Sequence, residues 1–359
     1  RTIQTQAEEK ISSSGWSAQR RVEWLRAQPS LSGEGKVALA NALFSLGQDA
    51  EGTALLKDAW RNHSLMDVRE REILAAHGDK LNAADHLARA DLMIWTRQFS
   101  DARRLIDFLG ADEAALIRAR IAVANSDRGL EGLIARVPAR LQADPGLMYE
   151  RARWRRNRSM DEGALELLFA IDATKAHPEG QELIWRERHL YARRLFKDRK
   201  FQDAYRLTIN HGMTSGVEFA EAEWLAGWIA LEYLNKPGEA LKHFERLESG
   251  VGSPLSLSRA VYWQGRAHAD LGDSAAANAD YRRVSQWSYT FYGQLGAQAV
   301  DAGATVSLGA DAIPTSADRA RFLADERVRA AILLAEAGEL GFFQRFAFHL
   351  DDALPRAAD

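Results

Sequence analysis

Five arginines lie within eight consecutive positions of this chain, and a tryptophan stands among them. Guanidinium groups bind carboxylates through paired hydrogen bonds, and an indole packs against apolar faces such as those of sugar rings. The spacing predicts that Arg151, Arg155 and Arg158 share one face of a helix that also carries Trp154. These four residues are our candidates for contact with a carboxylate-bearing sugar; the alternative is a solvated face paired with nearby acids. The whole cluster is Arg151, Arg153, Trp154, Arg155, Arg156 and Arg158.

The sequence provides no catalytic, cofactor-binding or metal-binding residue that we assign. The chain has no cysteine, which excludes thiol nucleophiles, thiolate metal sites and disulfides. The 9 histidines lack His-Glu-x-x-His spacing, and neither a glycine-rich phosphate loop nor a Gly-x-Ser-x-Gly elbow occurs. We expect His211 at a helix end, where an imidazolium suits the helix dipole. Glu248 and Ser249 form a Glu-Ser pair, which we expect at a helix C-terminus and turn between two repeats, where the carboxyl stays exposed and solvated.

Composition and charge narrow the classes of partner. With 46% hydrophobic and 27% charged residues, the chain has the composition of a folded protein. Its 359 residues exceed one ordinary core, which predicts two domains or an extended repeat. The formal net charge of -3 provides no basic field for nucleic acid or an anionic membrane. No run reaches the roughly 18 apolar residues of a membrane span, because glutamates interrupt even the most apolar stretch, Phe219 to Leu234.

The apolar residues of the chain recur with the period of an α-helix, so helices are expected to position the arginine–tryptophan cluster. The prolines fall mostly between apolar-periodic segments, and alternating runs joined by Asn-Gly or Asp-Gly turns are absent, so the fold is predicted to be all-α. A spacing of 12 residues recurs between small side chains, which is typical of tetratricopeptide hairpins. Because one helix pair cannot bury both faces, we expect the pairs to stack into a superhelical solenoid, open or ring-shaped. The small-residue pairs are Ala42 and Ala54, Ala90 and Ala102, Ala152 and Ala164, Ala192 and Ala204, and Gly265 and Ala277.

Three regions are predicted along the chain. Residues 1–300 form the superhelical repeat domain. Residues 301–317 are rich in glycine and alanine, show little periodicity and are expected to be a linker. Residues 318–359 carry further helices, the first of which is expected to extend from Asp318 to Ala337.

A series of strings, in their order along the chain, resembles the superhelical domain of soluble lytic transglycosylases, enzymes of bacterial cell-wall turnover. The resemblance extends from about Asp85 to Leu340. Its most specific part is the tail Thr290-Phe-Tyr-Gly-Gln-Leu295, directly after a repeat. The other strings are Asp85-His-Leu-Ala-Arg89, Tyr149-Glu-Arg-Ala-Arg-Trp-Arg-Arg156, Phe219-Ala-Glu-Ala-Glu-Trp-Leu-Ala-Gly-Trp-Ile-Ala-Leu231, Arg259-Ala-Val-Tyr-Trp-Gln-Gly-Arg266 and Arg327-Val-Arg-Ala-Ala-Ile-Leu-Leu-Ala-Glu-Ala-Gly338.

The resemblance implies a periplasmic protein that binds or positions glycan strands of peptidoglycan. In this family a C-terminal, goose-lysozyme-like domain cleaves the bond between N-acetylmuramic acid and N-acetylglucosamine without water, giving a 1,6-anhydro product. One glutamic acid there serves as general acid and base. That domain combines Glu-Ser with Gly-Ala-x-Gly-Leu-Met-Gln, and this chain has only the pair Glu248-Ser249. We therefore expect the catalytic domain to lie outside these residues, so that no complete enzyme is contained in them.

A second hypothesis belongs to a different class. The chain would be a non-catalytic, tetratricopeptide-like periplasmic scaffold that binds a protein partner, for example a cell-wall protein. The 12-residue spacing favours both hypotheses equally. They differ in the binding face, because arginine and tryptophan favour a glycan, whereas a hydrophobic or asparagine-lined groove favours a peptide.

Overall fold

All regular secondary structure in the described residues is helical. The computed structural model describes residues 3–305 and 313–354. These residues contain 21 α-helices, four short 3₁₀ helices and no β-strand. The all-α prediction is confirmed. The 3₁₀ helices are Gly78–Lys80, Ile106–Phe108, Ala139–Leu141 and Ala173–Lys175.

The helices follow one another with short connections. The first eleven are α1 (Ile3–Ile11), α2 (Ala18–Arg26), α3 (Gly33–Ser45), α4 (Asp49–Asn62), α5 (Asp67–His77), α6 (Ala83–Trp95), α7 (Phe99–Arg104), α8 (Ala111–Asn125), α9 (Leu130–Ala135), α10 (Pro145–Arg156) and α11 (Asp161–Ala170). The other ten are α12 (Pro178–Lys197), α13 (Phe201–Thr208), α14 (Val217–Glu232), α15 (Pro237–Gly250), α16 (Pro254–Asp270), α17 (Ser274–Ser285), α18 (Phe291–Val300), α19 (Ser316–Ala324), α20 (Glu326–Glu336) and α21 (Leu340–Ala353).

Successive helices pack in pairs, and the pairs stack. Helix α12 packs on α13, α14 on α15, and α16 on α17. Helices α6, α8, α10, α12, α14, α16 and α18 also contact one another in that order, which forms a continuous row. Since each pair buries the face that its neighbour leaves open, the architecture is a helical solenoid.

Small side chains mark the crossing points, with one correction to the predicted positions. In four of the five predicted pairs both residues are buried. Ala54 is exposed, so the pair with Ala42 is wrong. Gly52, two positions earlier on α4, is buried instead, and a Cβ added to it would lie 2.6 Å from the Phe44 ring of α3. Several small residues follow one another in this segment, and the packing of α3 on α4 selects which of them meet.

The turn into α17 has the predicted chemistry. Gly272 adopts a φ of +81°, the left-handed conformation that ends a helix. The Asp273 side chain then accepts a hydrogen bond from the backbone N–H of Ala276 at 2.9 Å. This N-cap satisfies an amide that would otherwise lack a partner in the first turn.

The region after the repeats differs from the prediction in one respect. Helix α18 ends at Val300 and α19 begins at Ser316, but residues 306–312 of the predicted linker and 355–359 of the last region lie outside the described residues. The single helix predicted from Asp318 to Ala337 is in fact two helices. The backbone of Asp325 is extended, and its side chain accepts from the Arg327 N–H at 2.8 Å. This local N-cap ends one helix and starts the next.

Tryptophans fill much of the core. Trp95 and Trp263 are buried, as expected for aromatic residues in apolar-periodic helices. Trp60 and Trp185 are also fully buried. By contrast, the side chains of residues 154, 224 and 228 are partly exposed and face two surface depressions.

Candidate functional site

The predicted arginine–tryptophan cluster lies at the C-terminal half of α10. Arg151, Trp154 and Arg155 line one cleft of about 240 Å³ between α10 and α9. The structure thus brings three of the four candidate residues to a common surface. Arg158 follows the end of the helix at Arg156, so the prediction that it continues the helical face is wrong. The chain there turns into the loop that leads to α11.

Arg151 is the cation of the cleft without a counter-charge. Its side chain is half-buried and makes no ion pair with any described residue. Burial lowers the pKa of Arg151, and the positive charge of Arg155 lowers it further. Arginine still remains protonated at neutral pH. The cleft therefore presents a poorly solvated positive charge, although Glu131 lines its α9 side.

Trp154 forms the apolar part of the cleft. Its ring packs against the cluster that contains Leu130 and Ile134, and its Nε1 is buried without a hydrogen-bond partner. The guanidinium of Arg158 lies 4.1 Å from the ring centroid, which is a cation–π contact. Arg158 lies beyond the helix end, but it contacts the Trp154 ring that lines the cleft.

Two other arginines of the cluster, Arg155 and Arg156, connect structural elements. Arg155 donates to the Gly163 carbonyl at 2.6 Å and lies 4.0 Å from a carboxylate oxygen of Glu166. Arg156 binds Glu187 of α12 through two hydrogen bonds, of 2.7 and 3.0 Å. These side chains are committed to holding α10 against α11 and α12. Arg151 is therefore the arginine best placed to bind a ligand.

Glu248 lies at a helix C-terminus, as predicted, but its side chain is not exposed as expected. It belongs to the last turn of α15, where it is partly buried. Its carboxylate accepts from Gln264 Nε2 at 2.8 Å and forms an ion pair with Arg283. Helix α15 extends as far as Gly250, and the Glu248 carboxylate links it to α16 and α17. No catalytic role follows from this arrangement.

A buried polar centre around Glu223 was not predicted from the sequence. Glu223 of α14 is fully buried and accepts from His211 Nε2 at 2.8 Å and His243 Nδ1 at 2.7 Å. Arg246 donates to the same carboxylate. The hydroxyl of Tyr205 lies 3.0 Å from His243 Nε2. An available signal was a glutamate in an apolar helical run, flanked at some distance by two histidines.

His211 therefore does not cap a helix. Helix α13 ends at Thr208, and His211 lies in the following loop, buried against α14. Its Nδ1 accepts from the Met213 N–H at 3.1 Å, which leaves Nε2 as the donor to Glu223. The interaction is with a buried carboxylate rather than with the helix dipole.

Glu223 is suited to structure rather than to proton transfer. Burial would raise its pKa, but hydrogen bonds from His211 and His243 outweigh that effect and lower it from 4.5 to about 2. A carboxylate that is ionised at neutral pH cannot act as a general acid. Because the side chain is also inaccessible to solvent, a substrate cannot reach it.

Glu150 is a second buried carboxyl, and its pKa is shifted in the opposite direction to that of Glu223. Burial raises its pKa, which the neighbouring positive charge of Arg97 partly offsets. Arg97 Nη1 donates to Glu150 at 2.8 Å, and only 1% of the glutamate is exposed. The pair joins α10 to the loop after α6, and its inaccessibility argues against a role in catalysis.

Neither a metal site nor a membrane span is found among the described residues. No group of three or more histidine, aspartate or glutamate side chains in residues 3–305 and 313–354 has the geometry to hold a metal ion. The imidazole nitrogens around Glu223 are engaged by hydrogen bonds. Within the same ranges, each helix is too short or too polar to traverse a lipid bilayer.

The fold and site together define a class, an all-α helical solenoid with an arginine–tryptophan cleft on its surface. Comparisons with protein families, with curated proteins and with solved structures give no match to this chain.

Proposed function

We propose that this chain is the α-superhelical part of a lytic transglycosylase that acts on peptidoglycan in the periplasm. Its role would be to bind or position glycan strands. A separate C-terminal catalytic domain would cleave the bond between N-acetylmuramic acid and N-acetylglucosamine and release the 1,6-anhydro product.

The observation that carries the proposal is the unpaired Arg151 beside the Trp154 ring in one cleft. Peptidoglycan combines sugar rings with the carboxylates of its stem peptides. Arg158 covers one face of the Trp154 indole, and the rest of the indole supplies an apolar surface for a ring, while the Arg151 guanidinium supplies paired donors for a carboxylate. The order of the strings from Asp85 to Leu340 supports the same family, and the solenoid agrees with its superhelical domain.

The test is co-sedimentation of the purified chain with insoluble peptidoglycan. We expect the wild-type chain to sediment with the polymer and to release no 1,6-anhydro muropeptides on its own. Arg151→Ala and Trp154→Ala are each expected to weaken binding about tenfold, since a charge-assisted or aromatic contact contributes about 1–2 kcal/mol.

Arg128→Ala is the matched control. Arg128 is exposed and makes no ion pair with a described residue, so its loss should leave sedimentation unchanged. Equal binding by wild type, the cleft variants and the control would contradict the role of the cleft. Absence of binding by the wild-type chain, together with no contact with a transglycosylase catalytic domain, would contradict the proposal itself.

The second candidate is a non-catalytic scaffold for a protein partner. The regular hairpins favour it, because stacked helix pairs with small residues at their crossings form extended surfaces suited to binding peptides. Recovery of one stoichiometric protein partner from periplasmic extract, without polymer binding, would favour the scaffold over the glycan-binding role.

A further inference from the structure

A larger groove lies between α12 and α14, away from the arginine–tryptophan cleft. Its volume is about 610 Å³, within the range of about 300–1,000 Å³ that is typical of ligand pockets. One wall is the C-terminal half of α12, and the other is the middle of α14.

The α12 wall carries a row of basic side chains. His189, Arg193 and Lys197 are spaced four residues apart, so they share one face of the helix. Arg193 and Lys197 are exposed and make no ion pair with a described residue. None of the described residues that line the groove is acidic. The groove therefore has a net positive lining.

The two ends of the groove differ in charge. At one end, His189 Nδ1 lies 3.8 Å from a carboxylate oxygen of Glu221. Burial lowers the pKa of His189, and Glu221 only partly offsets that effect. At the other end, Lys197 is followed by Asp198 and then by Arg199 and Lys200; all are exposed, the three cations lack ion pairs with described residues, and the net charge is positive. A bound anion is thus attracted to the end of α12.

The floor of the groove is aromatic, but its ring faces are already engaged. Trp224 and Trp228 stack with centroids 5.7 Å apart and an interplanar angle of 11°. Arg259 lies 5.3 Å from the Trp224 centroid, and Phe196 lies 5.2 Å from that of Trp228. Stacking of a sugar requires a free aromatic face. The ring edges that remain suit aliphatic and aromatic side chains instead.

We propose that this groove binds an acidic, apolar peptide segment of a partner protein. Its apolar side chains lie on the Trp224–Trp228 floor, and its carboxylates pair with Arg193 and Lys197. Charge complementarity selects the acidic residues, and the covered ring faces select a peptide over a glycan. The inference is independent of the glycan proposal, because different residues on different helices carry it.

The test measures binding of a fluorescein-labelled peptide in which aspartate and glutamate alternate with phenylalanine and leucine. We expect the full chain to bind it, and to bind more weakly as salt is raised, since exposed charges are screened. A peptide with lysine in place of each acid should not bind. The double variant Arg193→Glu/Lys197→Glu should bind the acidic peptide at least about tenfold more weakly.

Controls separate the groove from general electrostatic attraction. Arg282→Glu changes an exposed, unpaired arginine on α17 and should leave the affinity within about twofold. Arg193→Gln/Lys197→Gln should give an intermediate loss, and thermal melts of each variant report its fold. Arg151→Ala should not alter peptide binding, whatever its effect on peptidoglycan.

Three results would overturn the inference. One is failure of the wild-type chain to bind the acidic peptide. Another is equal affinity of the wild type and the charge-reversed variant. The third is displacement of the peptide by a peptide-free disaccharide of N-acetylglucosamine and N-acetylmuramic acid, which would make the groove a glycan site.

Discussion

Gly180 of α12 lies directly against the indole ring of Trp95 of α6. A Cβ added to the glycine would be 2.5 Å from the ring Cε2, closer than non-bonded carbon atoms approach. Trp95 is 3% exposed and packs on Tyr149, with ring centroids 5.1 Å apart, so it has little room to move. The contact joins helices that are far apart in sequence and sets how closely α12 approaches α6.

Gly180→Ala is therefore expected to lower the free energy of unfolding by about 1–3 kcal/mol, the usual cost of overpacking a core. The higher helix propensity of alanine only partly compensates. Urea denaturation followed by circular dichroism gives the value. Gly238→Ala is the control, because nothing lies within 4 Å of a Cβ at that helical position. An equal effect of both substitutions would contradict the proposed clash.

The Glu223 centre predicts a specific pH dependence of stability. The pKa of Glu223 is lowered from 4.5 to about 2 in the folded state. A carboxyl with a depressed folded pKa stabilises the fold above its unfolded pKa, and this contribution is lost as the pH falls from about 4.5 toward 2. The stabilisation amounts to about 3 kcal/mol. Urea midpoints measured between pH 7 and pH 3 should show more than half of this loss.

Glu223→Gln should lose much of that stability at pH 7 and show a shallower decline toward acid. Glu245→Gln is the matched control on the neighbouring helix, since Glu245 is exposed and makes no ion pair with a described residue. Its pH profile should parallel that of the wild type. If Glu223→Gln also gave a parallel profile, the carboxylate would not be the group that links pH to stability.

Arg188 is expected to be a structural arginine rather than a ligand-binding one. It is buried, and it donates to the carbonyls of Leu168 at 3.1 Å and Ile171 at 2.6 Å. Burial lowers its pKa to about 10, so it stays charged at neutral pH. The lysine of Arg188→Lys lacks the planar guanidinium that donates to both carbonyls. The substitution should lower the free energy of unfolding by about 2 kcal/mol, as measured by urea denaturation. Arg282→Lys, at an exposed site, should change stability by less than about 0.5 kcal/mol.

The N-cap of α17 gives a smaller and local effect. Asp273→Ala removes the acceptor of the Ala276 N–H and should lower the free energy of unfolding by about 1 kcal/mol. Asp270→Ala, three positions earlier at the end of α16, removes an exposed acid that caps no amide and should be neutral or slightly stabilising. Thermal melts of the two variants distinguish them. Indistinguishable melting temperatures would show that the cap contributes little.

The sequence predicted helix pairs better than the contacts between them. The spacing of Ala192 and Ala204 located a true crossing, because helices of regular length joined by short loops repeat that distance. The same rule selected Ala42 and Ala54, whereas Gly52, two positions before Ala54, makes the close contact, which is with the Phe44 ring. Spacing cannot choose between adjacent small residues, since the choice depends on how one helix is rotated against its partner.

The candidate cleft was predicted in part. Arg151, Trp154 and Arg155 follow from helical spacing, and they do line one surface. That Arg155 and Arg156 have acidic partners while Arg151 has none could not be predicted, because the Glu187 that engages Arg156 lies on a different helix. The groove of Arg193 and Trp224 likewise needs two helices to be placed side by side.

The sequence by itself determined the helical class, the approximate repeat and the turn chemistry, because propensity, periodicity and capping act within a few neighbouring residues. Only the tertiary structure decided which charges are buried and paired. Glu223 meets His211 and His243 from positions 12 and 20 residues away along the chain. Such contacts depend on the stacking of whole helices, because only that stacking brings these side chains together and buries them.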